Sequence, residues 1–83
     1  MNFINIGFKG TANADKIISI LPIYDKVTDV LIDNAKKTNK FIDATSGHKG
    51  VCILIMDDNY VILLGISSDT IYNRLANSNE GNA

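Results

Sequence analysis

The stretch VCILIMDDNYVILLGI, residues 51–66, contains two apolar runs on either side of three polar residues. Each run has the length and the β-branched content of a strand, and Asp and Asn tolerate the positive φ of a type I′ turn. The stretch therefore predicts a β-hairpin with Asp58-Asn59 as its two-residue turn. This placement pairs Met56 with Val61, Ile55 with Ile62 and Leu54 with Leu63.

The two predicted strands of the hairpin do not alternate apolar with polar residues. An antiparallel strand with one face in water should alternate, so we expect both faces to be covered. The predicted helices can cover one face, and we expect another copy of the chain to cover the other. A hydrophobic content of 46% in 83 residues agrees with burial between subunits. The sequence thus predicts an oligomer.

Strand signals also occur before the hairpin. Residues 3–6, 16–21 and 41–44 are rich in β-branched or aromatic side chains and predict three further strands. The expected fold class is α+β, with a small antiparallel sheet, the apolar hairpin at its centre, one longer helix and a short C-terminal helix. We expect a single domain over residues 1–76 and a disordered, polar tail over residues 77–83.

The two helices are predicted from spacing and from capping residues. The longer one covers residues 25–39, with Asp25 as its N-cap. The shorter one begins at Ser67 or Ser68 and has Asp69 in its first turn, where the helix dipole favours a negative charge. The spacing of aliphatic residues in the longer helix predicts an apolar face formed by Val27, Val30, Leu31 and Ala35.

Residues that could support catalysis are few. His48 and Cys52 are four positions apart, but a turn and a strand separate them, so their side chains have no reason to meet as a base and a nucleophile. One histidine and one cysteine do not make a zinc site, and Cys52 is expected to be a small buried apolar residue. The Asp57-Asp58 pair is expected to be a solvated turn. We therefore expect no enzyme activity, no cofactor, no metal and no small-molecule substrate.

The sequence also bears on the compartment. No basic-then-apolar leader opens the chain, and no apolar run reaches the roughly 18 residues that a membrane span requires. A lone cysteine cannot form an internal disulfide. These features predict a cytoplasmic protein without membrane contact.

Charge is unevenly distributed along the chain, although the net charge is only −1. Residues 36–50 contain four lysines and the only histidine of the chain, but a single acid, Asp43. Salt screens charges beyond about 8 Å, so a local basic patch on an acidic chain can still bind phosphate. The side chains of this patch are Lys36, Lys37, Lys40, His48 and Lys49.

Two loops, Gly7-Phe8-Lys9-Gly10 and Gly47-His48-Lys49-Gly50, share the pattern Gly-x-Lys-Gly. Glycines on both sides of a lysine let backbone N–H groups and an ammonium approach a phosphate closely. The plainer alternative is that the glycines only make tight turns and the lysines keep those turns in water. Spacing alone favours this alternative.

Four segments, taken in order, carry a family resemblance. They are residues 3–7 (FINIG), residues 17–20 (IISI), residues 42–45 (IDAT) and the hairpin residues Ile55-Met56-Asp57 and Val61-Ile62-Leu63 with Thr70 and Asn73-Arg74-Leu75 after them. Together they resemble the RemA family, bacterial regulators of extracellular-matrix genes. The resemblance covers about residues 3–75 without a gap, and the ordered set is more specific than any one motif.

The RemA resemblance implies a fold related in shape to LytTR-type DNA-binding domains. It also implies a ring of about eight copies of the chain, with basic residues repeated around the rim. Such a ring would bend or wrap double-stranded promoter DNA, with phosphate contacts dominating affinity and DNA deformability supplying specificity. One modest basic loop per subunit would then become a multivalent track.

The basic positions of the family are only partly retained. Two family arginines follow the glycine that corresponds to Gly47, and this chain has His48 and Lys49 there; another falls at Lys16, and one falls at Val51. Lysine retains the charge but loses the bidentate fork of arginine. We expect DNA contacts from Lys16, His48 and Lys49, with Lys9 as a further candidate.

Two further expectations follow from the same departures. Arg74, in the last helix, is expected to pair with a neighbouring acid or carbonyl rather than with DNA. The alternative function is a ring-forming protein–protein scaffold that has lost DNA binding, which the reduced basic loop and the net charge of −1 favour.

Overall fold

The computed structural model describes residues 2–8, 10–23 and 26–81, with side chains up to residue 77. This part of the chain forms an α+β fold, as the sequence predicted. Its elements are β1 (Phe3–Gly7), β2 (Gly10–Asn13), β3 (Ile17–Pro22), α1 (Lys26–Lys37), β4 (Phe41–Ala44), β5 (Cys52–Met56), β6 (Val61–Leu64) and α2 (Ser68–Gly81), with one 3-10 turn at Ala14–Lys16. No described helix is long and apolar enough to cross a membrane.

The hairpin of β5 and β6 is present, but its register differs by one residue from the prediction. Ile55 pairs with Val61 and Leu54 with Ile62. The loop therefore has three residues, ending in Asn59 at φ +69°, and the Asn59 N–H donates to the carbonyl of Met56 at 3.1 Å. A turn followed by a left-handed residue is the standard three-residue hairpin loop. The predicted two-residue turn at Asp58-Asn59 was wrong.

The main sheet is mixed, whereas the sequence predicted an antiparallel one. Its strand order is β3-β5-β6-β4, and β4 runs parallel to β6. The reason is the connection: α1 joins β3 to β4, which lie at opposite edges and run in the same direction. A helical crossover is the usual link between parallel strands.

A separate two-stranded ribbon, formed by β1 and β2, packs on one face of the main sheet. Strand β2 was not predicted, because it has only four residues and lacks an apolar pattern. Lys16, expected within β3, lies in the 3-10 turn just before it. The ribbon and α2 together bury the hairpin side chains of one face, with Ile71 fully buried. The buried side chains of this face are Ile4, Ile6, Ala12, Cys52, Leu54, Met56, Ile62, Leu64 and Ile71.

Helix α1 covers the other face of the hairpin. Ala35 of α1 packs with Ile53 and Val61, which come from the two central strands. Both faces are thus apolar, as predicted, but the same chain covers both. The expectation that a second copy must cover one face was wrong, because a ribbon not apparent in the sequence supplies the missing layer.

The helices differ in detail from their predictions. Val27 and Val30 are 61% and 55% exposed, so the packed side of α1 is formed by Leu31, Ile32 and Ala35 instead. Helix α2 has 14 residues against 12 in α1, so the C-terminal helix is the longer one.

The structure tests one of the two predicted helix ends and not the other. The proposed N-cap Asp25 lies outside the described residues. The backbone of α2 continues past residue 76, where the domain was expected to end, to Gly81. Disorder of residues 77–83 stays a prediction.

Candidate nucleic-acid interface

Residues 45–50 form a loop that leads from the end of β4 to β5. Asp43 Oδ1 accepts hydrogen bonds from the Thr45 hydroxyl at 2.6 Å and from the Thr45 N–H at 2.9 Å. Thr45 is 3% exposed, and its carbonyl accepts the His48 N–H at 3.0 Å. Asp43 and Thr45 therefore anchor the loop to the end of the strand.

Two glycines shape this loop for different reasons. Gly47 has φ +84°, a conformation that other residues adopt only with strain. A Cβ at Gly50 would lie 2.7 Å from Cδ1 of Leu63, so a larger residue there would force the Leu63 side chain to move. The two glycines of the loop thus have local steric reasons, which supports the plainer interpretation of these glycines.

The structure also brings the two Gly-x-Lys-Gly loops together. The ring of Phe8, from the first loop, stacks on His48, from the second, with centroids 4.1 Å apart and planes 12° apart. A Cβ at Gly65 would lie 3.0 Å from Cε2 of Phe8 and 3.4 Å from Cβ of His48. Both loops therefore pack on the backbone at the end of β6. Lys9, a candidate in the first loop, lies outside the described residues.

Lys49 is the exposed basic residue of this site. Its side chain makes no ion pair or hydrogen bond with the part of the chain that the structure describes. In the same part, no acceptor receives the backbone N–H groups of Gly47 and Lys49. An ammonium and backbone N–H groups in an exposed turn are groups of the kind that can bind a phosphate oxygen.

Lys16 lies at the other end of the molecule's central strand. Its Nζ is 3.4 Å from Oδ2 of Asp57, and both side chains are about half exposed. The five residues of β5, at about 3.4 Å each, separate this end from the loop of Lys49 by about 17 Å. Within one chain, the predicted residues His48 and Lys49 therefore lie together, and Lys16 lies apart from them.

Other basic residues have partners within the fold. Lys40 Nζ donates to the carbonyl of Asp58 at 2.9 Å, and Lys36 Nζ lies 5.1 Å from the centroid of the Phe41 ring. Arg74 Nη1 donates to the carbonyl of Asn5 at 3.0 Å, which confirms the structural role expected for it.

His48 and Cys52 do not form a catalytic pair. Cys52 is fully buried and its Sγ donates to the carbonyl of Ile66 at 3.2 Å, while His48 Nδ1 lies 3.0 Å from the carbonyl of Thr45. Burial raises the pKa of the Cys52 thiol, which disfavours the nucleophilic thiolate. Cys52 is a buried apolar residue, as predicted. The described residues contain no cluster of three or more His, Cys, Asp or Glu side chains that could hold a metal ion.

Sequence reasoning missed two parts of this site. The sequence predicted no contact for Phe8, because its partner His48 is distant in the chain and the stack forms only in the folded structure. The ion pair of Lys16 with Asp57 depends on the pairing of β3 with β5, in which Ile17 lies opposite Met56. No local pattern encodes that long-range register.

Comparison with known proteins identifies the family of the chain. The family model described as "RemA-like: Extracellular matrix regulatory protein A-like" matches residues 3–75. The chain is 35% identical over 80 residues to a protein of Geobacillus kaustophilus, a match that covers 96% of this chain and 92% of the relative. It is 40% identical over 73 residues to one of Desulfatibacillum aliphaticivorans, covering 88% and 82%. The names of both relatives describe regulatory proteins.

Proposed function

The chain belongs to the RemA-like family, and we propose that it is an oligomeric, DNA-binding transcriptional regulator. It contacts the phosphate backbone of double-stranded DNA through the loop of His48 and Lys49, with Lys16 and Lys9 as further contacts. Membership of a family of regulatory proteins favours a non-enzymatic role. The controlled genes, by the same membership, are those of the extracellular matrix and biofilm, and the protein acts in the cytoplasm.

The observation that carries the DNA-binding proposal is the convergence of the two Gly-x-Lys-Gly loops. Phe8 and His48 hold the loops against each other, and Lys49 remains exposed without an ion pair among the described residues. Tight turns explain the glycines, and an exposed lysine is ordinary in a solvated turn. The aromatic stack that holds the loop beside Lys49 is the feature that favours a preformed phosphate contact over a simple turn.

An oligomer is supported by exposed apolar side chains on both edge strands of the main sheet, β3 and β4. A groove of about 590 Å³ is lined by Ile42 of β4, which is 44% exposed, by Met56 and Ile62 of the hairpin, and by Lys16 just before β3. Along β3, a second surface contains Ile18, 63% exposed, and Tyr72, 51% exposed. Different surfaces on opposite edges suit head-to-tail association, which closes into rings when the rotation permits.

Such a ring also gives a role to Lys16, which lies far from Lys49 within one chain. Lys16 lines the same groove as Ile42, so a subunit interface at this groove would place the Lys16 of one copy near the surface of the next. Repetition around a ring turns a few charges per subunit into a track for DNA. The LytTR-like shape and a number of about eight copies are parts of the same proposal.

The oligomer is tested by its mass. Light scattering on the unsubstituted chain should give a mass several times that of the monomer. Ile18→Glu and Ile42→Glu should each lower it, because a charge in an apolar interface is costly to bury. Val30→Glu, an equally exposed apolar position on the outside of α1, should leave the mass unchanged. A monomer at tens of micromolar would overturn the proposed ring.

The DNA contact is tested by paired charge removals. Lys49→Ala and the Lys16→Ala/Lys49→Ala double variant should weaken binding by about the same factor on AT-rich and GC-rich duplexes, because phosphate contacts carry no sequence information. Lys26→Ala removes the same charge at the start of α1 and should leave affinity close to that of the unsubstituted chain. Affinity unaffected by the double substitution would overturn the proposed contact.

A protein–protein scaffold is the second candidate function. Asp57 lies 3.4 Å from Lys16 Nζ and offsets part of its charge, and the net charge of the chain is −1. An oligomer of the expected mass that forms no complex with any duplex at low salt would favour this scaffold over the DNA-binding regulator.

A further inference from the structure

The conformation of Phe8 requires an explanation. Its φ is +49°, in the left-handed region that bulky residues rarely occupy. Its side chain is also 41% exposed, so burial of the ring contributes little to the core. Strained backbone persists where the surroundings hold it in place, and it is often retained at functional sites.

Contacts on both sides hold the Phe8 backbone and ring. The Gly7 N–H donates to Asn5 Oδ1 at 2.7 Å, and the carbonyl of Asn5 accepts Nη1 of Arg74 at 3.0 Å. On the other side, the ring lies against the backbone of Gly65, where a Cβ would be 3.0 Å from it. Helix α2, the ribbon and β6 therefore all contribute to the position of one exposed ring.

The ring of Phe8 in turn restrains His48. The parallel stack covers one face of the imidazole, and Nδ1 lies at hydrogen-bonding distance, 3.0 Å, from the Thr45 carbonyl. That carbonyl also accepts the His48 N–H. The side chain and the backbone of His48 are thus fixed together, and the next residue is Lys49.

We propose that Phe8 is a positioning residue of the DNA interface, one that holds His48, and through it the loop of residues 45–50, in the conformation that binds phosphate. This role rests on the proposed function. Phe8 acts through His48 and touches no DNA itself. Preorganisation of this kind raises affinity by removing the ordering cost of the loop at binding.

The positioning role of Phe8 is tested by substitutions that distinguish the effect of its aromatic ring from the effect of its apolar size. Phe8→Leu keeps an apolar side chain but removes the stack, and it should weaken DNA binding by about two- to tenfold, the factor expected for one aromatic pair. Phe8→Tyr keeps the stack and should bind like the unsubstituted chain. Phe3→Leu changes another exposed phenylalanine of the same ribbon and should have no effect on binding.

Two measurements make the test specific to positioning. In NMR spectra of the free protein, the His48 ring protons should shift in Phe8→Leu, because the ring current of the neighbouring aromatic is lost, and should stay in place in Phe8→Tyr and Phe3→Leu. In a double-substitution cycle, Phe8→Leu should have little effect on DNA affinity once His48→Ala is present. Gly65→Ala, whose methyl group crowds the stack, should resemble Phe8→Leu.

The outcomes distinguish the positioning role from the proposed function. Absence of DNA binding by the unsubstituted chain at low salt would overturn both. Normal binding by Phe8→Leu would overturn the role of Phe8 alone. An equal loss in the presence and absence of His48→Ala would show that Phe8 contacts DNA directly, and the positioning role would then be wrong.

Discussion

Asp43 illustrates how single residues stabilise the loop of residues 45–50. Hydrogen bonds from the hydroxyl and then from the N–H of Thr45 lower the pKa of Asp43 from its ordinary value of 3.8, and the charge of Lys36 lowers it further. A carboxyl group whose pKa is lowered on folding stabilises the folded state in its ionised form. That contribution is complete above pH 3.8 and is lost as the pH falls through the lowered value.

The first prediction concerns this carboxylate. Asp43→Asn should lower the urea midpoint of unfolding at neutral pH, because an amide is a weaker acceptor than a carboxylate. The difference from the unsubstituted chain should shrink as the pH falls below 3.8. Thr45→Val, which removes the hydroxyl donor, should make the midpoint less sensitive to the Asp43 substitution. A difference that is equally large in acid would show that ionisation of Asp43 does not matter.

Among the elements, the central hairpin shows what local sequence can encode. Its two strands follow from the apolar runs alone, but its register depends on whether Asp57 belongs to the strand or to the loop. A two-residue turn and a three-residue turn both suit Asp57-Asp58-Asn59, and the choice moves every pairing by one residue. Asn59 at φ +69° marks the three-residue loop.

The second prediction tests that loop. Asn59→Ala should lower stability by about 1 kcal/mol, since alanine tolerates the left-handed conformation poorly. Asn59→Gly should be at least as stable as the unsubstituted chain. Asp58→Ala serves as a control at a neighbouring exposed position. Chemical unfolding measures all three, and equal stability of the alanine and glycine variants at position 59 would contradict the turn assignment.

Coverage of the hairpin was harder to predict than the hairpin itself. The sequence correctly indicated that both of its faces are buried, but the layer over one face comes from β1, β2 and α2, which are distant in the chain. The Gly10–Asn13 strand carries no apolar periodicity, and its pairing with β1 becomes evident only in three dimensions. The candidate site is limited in the same way. His48 and Lys49 could be predicted from one short segment, whereas the stack of Phe8 on His48 joins two distant segments and could not.

The third prediction tests this intrachain layer. Ile71 of α2 is fully buried against the ribbon and the hairpin. Ile71→Ala should therefore lower the free energy of unfolding by about 2–5 kcal/mol, the usual cost of truncating a buried aliphatic residue. Asn73→Ala, on the exposed side of the same helix, should change it by less than about 0.5 kcal/mol. A small effect at Ile71 would mean that α2 does not cover the sheet.

At the scale of the whole molecule, the net charge is unfavourable for the proposed binding of DNA. The net charge is −1, and the two candidate basic positions lie at opposite ends of β5. A single chain therefore offers a small target for DNA. Exposed apolar side chains on both edge strands of the sheet favour an assembly in which these positions repeat, and in the proposed function this repetition lets an acidic chain bind a polyanion.

The fourth prediction tests the proposed DNA binding most directly. The affinity of the unsubstituted chain for a labelled duplex should be measured by fluorescence anisotropy over a series of salt concentrations. Log affinity should fall linearly with log salt, with a slope of about −0.9 for each phosphate neutralised. Lys16→Ala/Lys49→Ala should give a shallower slope, and Lys26→Ala an unchanged one. Affinity that does not vary with salt, or no complex even at low salt, would contradict a DNA-binding function.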